Sequence, residues 1–403
     1  MAPKKLAVTS KALQVLLTRI GSASSGTKSA LLARFQHDVL RSNFSCRPSV
    51  QAKQQSKDPK KKLRIMSIDM GIKNLAFCDA EVSHSTPNTA NLDTHMNIVR
   101  WKKLDLVGHT RAHAAPEDPS EAPDVDDESN VFAPSALSKT AYDLIVKEVV
   151  SVKPDIILIE KQRWRSGGGS AVLQWTVRVN TLEAMLWAVL ETLKRSGRSC
   201  SGRGASDEEH QYHVYAVDPK RIGQYWLGQH ARALQERNEA ASAVDMAALS
   251  KTAKGTAESE EDMAPAASKK PSRSKAEKSA KIAILRSWLA EDAMSTTPST
   301  PSPMPRITFS IAPSAASTRA ALLPPATAAR RKKSAKNAAE LVDGLPATEI
   351  KKLDDITDCF LQAAAWVAWE SNRRQLLAAS GGESERVVGE ERILKMVGEV
   401  GEA

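Results

Sequence analysis

The sequence has 403 residues, a formal net charge of +10, 41% hydrophobic residues and only 4% aromatic residues. This composition predicts one medium-sized core, a small accessory module and long insertions that bury little, and the basic balance favours a polyanionic partner. The four cysteines, Cys46, Cys78, Cys200 and Cys359, form no CxxC pair, which argues against a zinc site and a disulfide framework. No apolar run reaches transmembrane length, so we expect a soluble protein with no membrane partner.

The N-terminal region, residues 1–45, carries two overlapping signals. It has no acidic residue before Asp38, and its Arg, Lys and Ser content is typical of a mitochondrial transit peptide. Helical spacing of its apolar residues, broken over Gly21–Gly26, also predicts two helices, and the run LQVLLTRIGSASSGTKSALLARF resembles a SAP module, a helix-turn-helix unit that binds the DNA backbone. This resemblance makes Lys28 and Arg34 candidate DNA contacts, and the segment can serve import, DNA binding or both.

Residues 46–62 are polar and basic, and predict a linker to a core domain over residues 63–375. The segment LRIMSID, residues 63–69, predicts a strand, and GIKNLAFCDAEV and NIVRWKKLDL predict two more in an antiparallel meander. A helix is expected from about Pro134 to Val152, and the apolar run DIILIE, residues 155–160, fits a buried parallel strand.

Further along the chain, strands and helices alternate between biased segments. We expect a helix from about Ala171 to Arg195, a strand in HVYAVDP, a helix in KAEKSAKIAILRSWLA and a final helix from about Leu353 to Arg374. This order predicts an α/β fold with a mixed β-sheet flanked by helices. The remaining segments are expected to be disordered insertions at about 108–130, 231–274 and 295–345, and a C-terminal tail at 376–403.

Five carboxylates stand where predicted buried elements end or begin. Asp69 closes the first strand, Glu160 closes DIILIE, and Asp354, Asp355 and Asp358 lie in the first turns of the final helix. Buried, unpaired carboxylates are costly, and divalent cations offset that cost. Oxygen-only ligands suit Mg²⁺ or Mn²⁺, and two such ions can activate a water and stabilise the leaving oxygen of a phosphodiester.

Each acid taken alone also has an ordinary structural explanation. Asp69 can be a turn residue, Glu160 can pair with a nearby arginine on the surface, and the two aspartates that begin the final helix can favour its N-terminus. The whole set, with basic neighbours, favours a metal centre.

The motifs IMSIDMGIKNLAFC, ILIEKQRWRSG and KKLDDITDCFLQAAAW resemble the fungal mitochondrial Holliday-junction resolvases, relatives of bacterial RuvC. The resemblance covers the core elements from Leu63 to about Arg374 but not the insertions. It implies an RNase H-like fold, a homodimer, and paired nicks across a four-way DNA junction in mitochondria with Mg²⁺, which Mn²⁺ can replace, and no small-molecule cofactor. It also implies an acidic site of Asp69, Glu160 and Asp358 with either Asp354 or Asp355.

A basic segment with one aromatic residue follows the second acidic motif. Arg and Lys beside glycines can bind phosphates, and Trp164 can stack on an unpaired base, although packing of Trp164 and Trp175 in the core is an equal alternative. The resemblance implies that Gln162 and Arg163 lie close to the substrate. The candidate DNA contacts are Lys73, Lys161, Gln162, Arg163 and Arg165, with Lys220, Arg221, Lys278 and Lys281 as weaker candidates. A solvated basic face explains Lys278 and Lys281 equally well.

An apolar stripe runs along the helix predicted after the basic segment: Leu182, Met185, Leu186 and Val189. A core stripe is the first interpretation, and the resemblance makes part of it a candidate dimer interface. The sequence as a whole predicts a junction-resolving endonuclease. The alternatives are another RNase H-like nuclease, acting on RNA–DNA hybrids, and a non-catalytic mitochondrial DNA-packaging protein.

Overall fold

The centre of the computed structural model is a six-stranded mixed sheet with the order β5-β4-β1-β2-β3-β6. The strands are β1 (Leu63–Asp69), β2 (Leu75–His84), β3 (Thr94–Leu104), β4 (Ile156–Glu160), β5 (His213–Val217) and β6 (Ile307–Ile311). The structure describes residues 7–41, 62–84, 94–108, 132–162, 173–200, 211–228, 273–290, 307–323, 353–380 and 388–400. The expected α/β fold with a mixed sheet flanked by helices is confirmed.

Helices cover both faces of this sheet and also pack beyond its edge. They are α1 (Ser10–Arg19), α2 (Lys28–Val39), α3 (Pro134–Asp143), α4 (Gln174–Cys200), α5 (Arg273–Ala290), α6 (Ala316–Leu322), α7 (Leu353–Ala379) and α8 (Glu390–Val400). A π-helical turn and a 3₁₀ turn extend α3 to Val152, as the sequence predicted. In the described ranges no helix is long and apolar enough to span a membrane.

The sheet pairing follows the predicted meander and then changes direction. Strands β1, β2 and β3 are antiparallel, whereas β4 pairs parallel to β1 and β5 parallel to β4. The apolar side chains of β4 divide between the two faces, with Ile156 and Leu158 on one and Ile157 and Ile159 on the other. Burial on both faces is the reason that this strand is a continuous apolar run rather than an alternating one.

Helices α5 and α7 cover one face of the sheet, and α3 and α4 cover the other. Leu182 and Leu186 of α4 are fully buried in the core between the sheet and helices α3 and α4, and Met185 and Val189 pack against this core. The core interpretation of this apolar stripe is therefore confirmed.

Two parts of the predicted boundaries need correction. The segment expected to be a disordered insertion at 295–345 contains β6, a 3₁₀ turn and α6, because β6 completes its hydrogen bonds by pairing parallel to β3. The predicted tail at 376–403 is also structured, since α7 continues to Ala379 and α8 follows it. The other expected insertions lie largely outside the described residues, as does the linker.

The N-terminal helices are not a separate module. Helices α1 and α2 form a bundle with α8 and the last turns of α7, which we call the terminal bundle. At Gly21, where φ is +70°, a Cβ atom would lie 2.1 Å from the ring of Trp369, so only glycine fits this approach. The apolar core of the terminal bundle consists of Val8, Leu13, Leu16, Leu17, Ile20, Leu31, Phe35, Val39, Leu376, Leu377, Val388, Ile393 and Met396.

Buried polar side chains also join α1 to α7. The buried Arg19 side chain donates hydrogen bonds to Asn372 and Gln375 of α7 at 3.2 and 3.0 Å, and Asn372 donates back to the carbonyl of Arg19 at 2.8 Å. The two predicted N-terminal helices are thus confirmed, while DNA binding by a SAP-like module stays a prediction.

Candidate metal centre

The carboxyl ends of β1 and β4 place two of the predicted acids side by side. The two strands are parallel with Ile68 opposite Ile159, so the residues that follow, Asp69 and Glu160, are neighbours at the same edge of the sheet. Burial, the negative charge of Glu160 and hydrogen bonding with the Glu160 side chain raise the pKa of Asp69 well above its usual value. The two carboxyl groups therefore lie close together.

The first turns of α7 bring further acids to this pair. The charges of Asp358 and Asp355 also raise the pKa of Asp69, so both lie within electrostatic reach of it. Asp354 instead acts on Asp358, whose own pKa is raised mainly by burial. The sequence left the choice between Asp354 and Asp355 open, and the effect of the Asp355 charge on the pKa of Asp69 favours Asp355.

A buried glutamine fixes the position of α7 over the strand ends. The Gln362 amide donates to Ser67 Oγ, the Ile68 carbonyl and the Leu158 carbonyl at 3.1, 3.2 and 3.4 Å. It lies four residues after Asp358, on the same helix face. Gln362 thus ties α7 to both β1 and β4 one turn from the acids, a role that its place in an apolar helix did not reveal.

Each of the three α7 aspartates is ion-paired with a lysine from another element. Lys103 of β3 lies 3.5 Å from Asp355, Lys281 of α5 lies 3.1 Å from Asp358, and Lys278 of α5 binds Asp354. The hydrogen bond that Lys278 donates to Asp354 raises the pKa of Lys278. Lys281 is only 8% exposed, so the interpretation of these α5 lysines as a solvated face is wrong for it.

The donor chemistry fits a divalent cation that prefers oxygen ligands. Among the described residues, however, no group of three or more His, Cys, Asp or Glu side chains is arranged to hold a metal ion in this conformation. In this conformation each of the three α7 aspartates is paired with a lysine, which a cation would have to displace.

The predicted DNA contacts divide into three groups. Lys73, in the turn after β1, and Lys161, directly after Glu160, are exposed at the edge that carries the acids, and Gln162 beside them is half-buried. Arg163 and Arg165, together with Trp164, lie outside the described residues. Trp175 is 41% exposed and meets Phe132 edge-on, so it is not a core residue.

The terminal bundle holds the last two predicted contacts. Lys28 is exposed at the start of α2, where a DNA backbone can reach it. Arg34 is half-buried and donates to the carbonyls of Ala23 and Ser25 at 2.6 and 2.9 Å. These bonds give Arg34 a part in holding the loop between α1 and α2, and DNA contact by either residue stays a prediction.

Lys103 was missed in the sequence, although the register of the meander contains it. Ala76 of β2 lies opposite Asp69 on one side and opposite Lys103 on the other. Two successive antiparallel pairings therefore carry Lys103 to the edge of the acidic cluster. Its neighbour Lys102 points the opposite way, since side chains alternate along a strand.

A family model described as "Mitochondrial resolvase Ydc2 / RNA splicing MRS1" matches residues 65–376, more than half of the chain. The chain belongs to this family. The matched range of this Ydc2/MRS1 family member contains all five acids, Lys103, Lys281 and Gln362.

Two curated relatives of this Ydc2/MRS1 family member are both named "Cruciform cutting endonuclease 1, mitochondrial". The Schizosaccharomyces pombe protein is 28% identical over 165 residues, which is 40% of this chain and 52% of the relative. The Saccharomyces cerevisiae protein is 24% identical over 166 residues, 41% of this chain and 40% of the relative. The matched segments thus span about half of each relative's length or less.

Solved structures give weaker likenesses. The yeast mitochondrial Holliday junction resolvase Ydc2 aligns over 90% of this chain and 93% of its own, with 18% identity and a TM-score of 0.43. Thermus thermophilus RuvC aligns over 40% of this chain and 68% of its own, with 12% identity and a TM-score of 0.21.

Proposed function

We propose that the protein is a structure-selective DNA endonuclease that resolves four-way (Holliday) junctions by metal-dependent phosphodiester hydrolysis in mitochondria. The observation that carries this proposal is the convergence of Asp69, Glu160, Asp355 and Asp358 at one edge of the sheet. Membership of a family named for a mitochondrial resolvase supports the substrate and the location. The acid-free, basic start of the chain supports the location independently.

We assign Mg²⁺, with Mn²⁺ as a substitute, to this group of carboxylates. When bound, the cation supplies activation of water and stabilises charge on the leaving 3′ oxygen. Asp69, Glu160, Asp355 and Asp358 are the residues that would hold it, with Asp354 at the margin. The bond between phosphorus and the 3′ oxygen breaks, which leaves a 5′ phosphate and a 3′ hydroxyl.

The basic and polar side chains around the acids would orient the DNA strand. Lys73, Lys161 and Gln162 lie at the same edge and can bind phosphate oxygens on either side of the cut. Backbone contacts of this kind carry no sequence information, so specificity would come mainly from the branched shape of the junction. A homodimer would place two such sites about a two-fold axis that matches the symmetry of the junction, giving paired nicks.

The family description also names RNA splicing, which raises the question of a binding protein without nuclease activity. The buried state of Asp69 argues against that alternative. A carboxyl group that is 8% exposed beside other carboxylates destabilises the fold, and nucleic-acid binding gains nothing from it. A use in chemistry explains why so many carboxylates lie together at a buried place.

A cleavage assay tests the proposal directly. We expect the purified protein to cut a synthetic four-way DNA junction into paired linear duplexes with Mg²⁺ and to be inactive in EDTA. An RNA–DNA hybrid duplex of the same length should remain intact under the same conditions. Cleavage of the hybrid in preference to the junction would favour the other RNase H-like activity instead, and failure to cut either substrate would remove the nuclease proposal.

The lysine pairing leads to a prediction about metal affinity in the absence of DNA. The Lys281 ammonium group competes with a divalent cation for Asp358, so Lys281→Met should tighten Mn²⁺ binding by roughly tenfold, the effect of one neighbouring charge. Isothermal titration of the free protein measures this. Lys147→Met is the matched control, because Lys147 pairs with Asp143 on an exposed helix surface and its loss should leave the affinity unchanged. Weaker Mn²⁺ binding by Lys281→Met would contradict the competition.

A further inference from the structure

A sixth carboxylate lies beside the proposed metal centre without belonging to the α7 group. Glu183 of α4 is half-buried, and burial raises its pKa above the usual value. The charges acting on it include those of Glu160 and Lys161, so it lies next to the end of β4. A negative charge close to predicted DNA contacts opposes phosphate binding, so DNA binding does not explain the position of Glu183.

The contacts of Glu183 indicate a structural role. Its Oε2 atom accepts a hydrogen bond from the backbone amide of Gln162 at 3.2 Å. Hydrogen bonding from the indole of Trp187, four residues further along α4, partly offsets the effect of burial on the Glu183 pKa. Trp187 packs against the apolar layer beneath the sheet, so the carboxylate is held by a side chain that is itself fixed.

The end of β4 is consequently held on two sides. On one side the Lys161 amide donates to the carbonyl of Val217 in β5 at 2.9 Å. On the other side the next amide, that of Gln162, donates to Glu183 of α4. A strand that merely ended at Glu160 would leave both amides to solvent, whereas here the two residues after the acid have fixed backbones.

We propose that Glu183 is a positioning residue that fixes the end of β4 against α4 and thereby sets the placement of Glu160 and Gln162. The inference rests on the nuclease function proposed above, for which Glu160 holds metal and Gln162 approaches DNA. Misplacement of a reacting group by about 1 Å can cost on the order of a hundredfold in rate, so an anchor two residues away has a measurable effect.

Three substitutions separate positioning from charge, and a fourth serves as the control. Glu183→Gln keeps a carbonyl oxygen that can accept from the Gln162 amide but removes the charge, and Glu183→Ala removes both. Glu191→Ala is the matched control, because Glu191 lies two turns further along α4 and forms an exposed ion pair with Arg195, at 2.7 Å. Trp187→Phe removes one orienting donor from Glu183 and tests the same anchor should Glu183→Ala fail to fold.

Hydrogen exchange of the Gln162 amide and junction cleavage are then measured on the same proteins. We expect Glu183→Ala to exchange about tenfold faster or more at Gln162 and to lower kcat by roughly tenfold to a hundredfold, with a smaller change in KM. Glu183→Gln should stay close to wild type in both measurements, as should Glu191→Ala. Trp187→Phe should show intermediate exchange.

Two results would overturn the proposal. Unchanged Gln162 exchange in Glu183→Ala removes the anchor, and equal defects in Glu183→Gln and Glu183→Ala show that only the charge matters. Failure of the nuclease proposal is recognised separately, since the wild-type protein would then not cut junctions while the exchange data would still report on the anchor.

Discussion

Asp69→Asn is expected to abolish junction cleavage while junction binding is retained. Asparagine has nearly the same shape and can still hydrogen-bond to Glu160, so the fold should be preserved. It cannot supply the negative charge that a divalent cation needs, and losing several kcal/mol of transition-state stabilisation costs about tenfold per 1.4 kcal/mol. We expect the rate to fall by roughly a thousandfold or more in a gel-based cleavage assay, with junction affinity within a few-fold of wild type.

The control for this variant is the same substitution at an exposed position. Asp105 follows β3, and its carboxylate accepts a bond from the Val107 amide at 2.9 Å, which an asparagine oxygen can also accept. Asp105→Asn should therefore cut junctions at the wild-type rate. Normal cutting by Asp69→Asn would sink the nuclease proposal, because the proposed metal centre depends on the Asp69 carboxylate.

The second large effect concerns stability rather than chemistry. Asp79 of β2 is fully buried and binds Arg64 through both carboxylate oxygens, at 2.9 and 2.8 Å, and Arg100 at 3.0 Å. Removing one partner of a buried charge network leaves the others unpaired and typically costs about 3–5 kcal/mol. Asp79→Ala should lower the free energy of unfolding by about that amount, as measured by urea denaturation.

A surface pair on the same strand serves as the comparison for Asp79. Glu81 lies two residues further along β2 and pairs with Lys62 at 3.1 Å, with the lysine side chain more than half exposed. Exposed pairs of this kind contribute about 0–1 kcal/mol, so Glu81→Ala should change stability little. Equal losses in the two variants would mean that the buried network is not specially stabilising.

The sequence predicts the central sheet well, because strand signals in this chain are local. Strands β1 and β4 are both buried on their two faces, and their apolar residues mark them as strands. Strand β6 escapes detection because ITFSI is embedded in Pro, Ser, Thr and Ala, and its stability comes from pairing with β3 about 200 residues earlier. Long-range pairing of this kind leaves no mark on the composition of a short segment.

The acidic cluster can be predicted from local sequence signals, but its lysine partners cannot. Asp69 and Glu160 stand at strand ends, and parallel strands bring their carboxyl ends to one edge. Lys281 reaches Asp358 only because α5 packs against α7, and spacing within either helix does not reveal that contact. From the sequence, Lys281 is therefore a weaker candidate DNA contact or part of a solvated basic face, and nothing in the sequence singles out Gln362.

The terminal bundle makes the two ends of the sequence depend on each other. Leu17 and Phe35 share one apolar core with Leu376 and Met396, so α1 and α2 complete their packing only when the last helix has been synthesised. A chain crossing a membrane as an extended polypeptide would keep these helices unpacked throughout its passage and close the fold only afterwards. Proteolytic removal of a leader extending past Val8 would then strip apolar partners from α7 and α8, so maturation and stability are linked at this point.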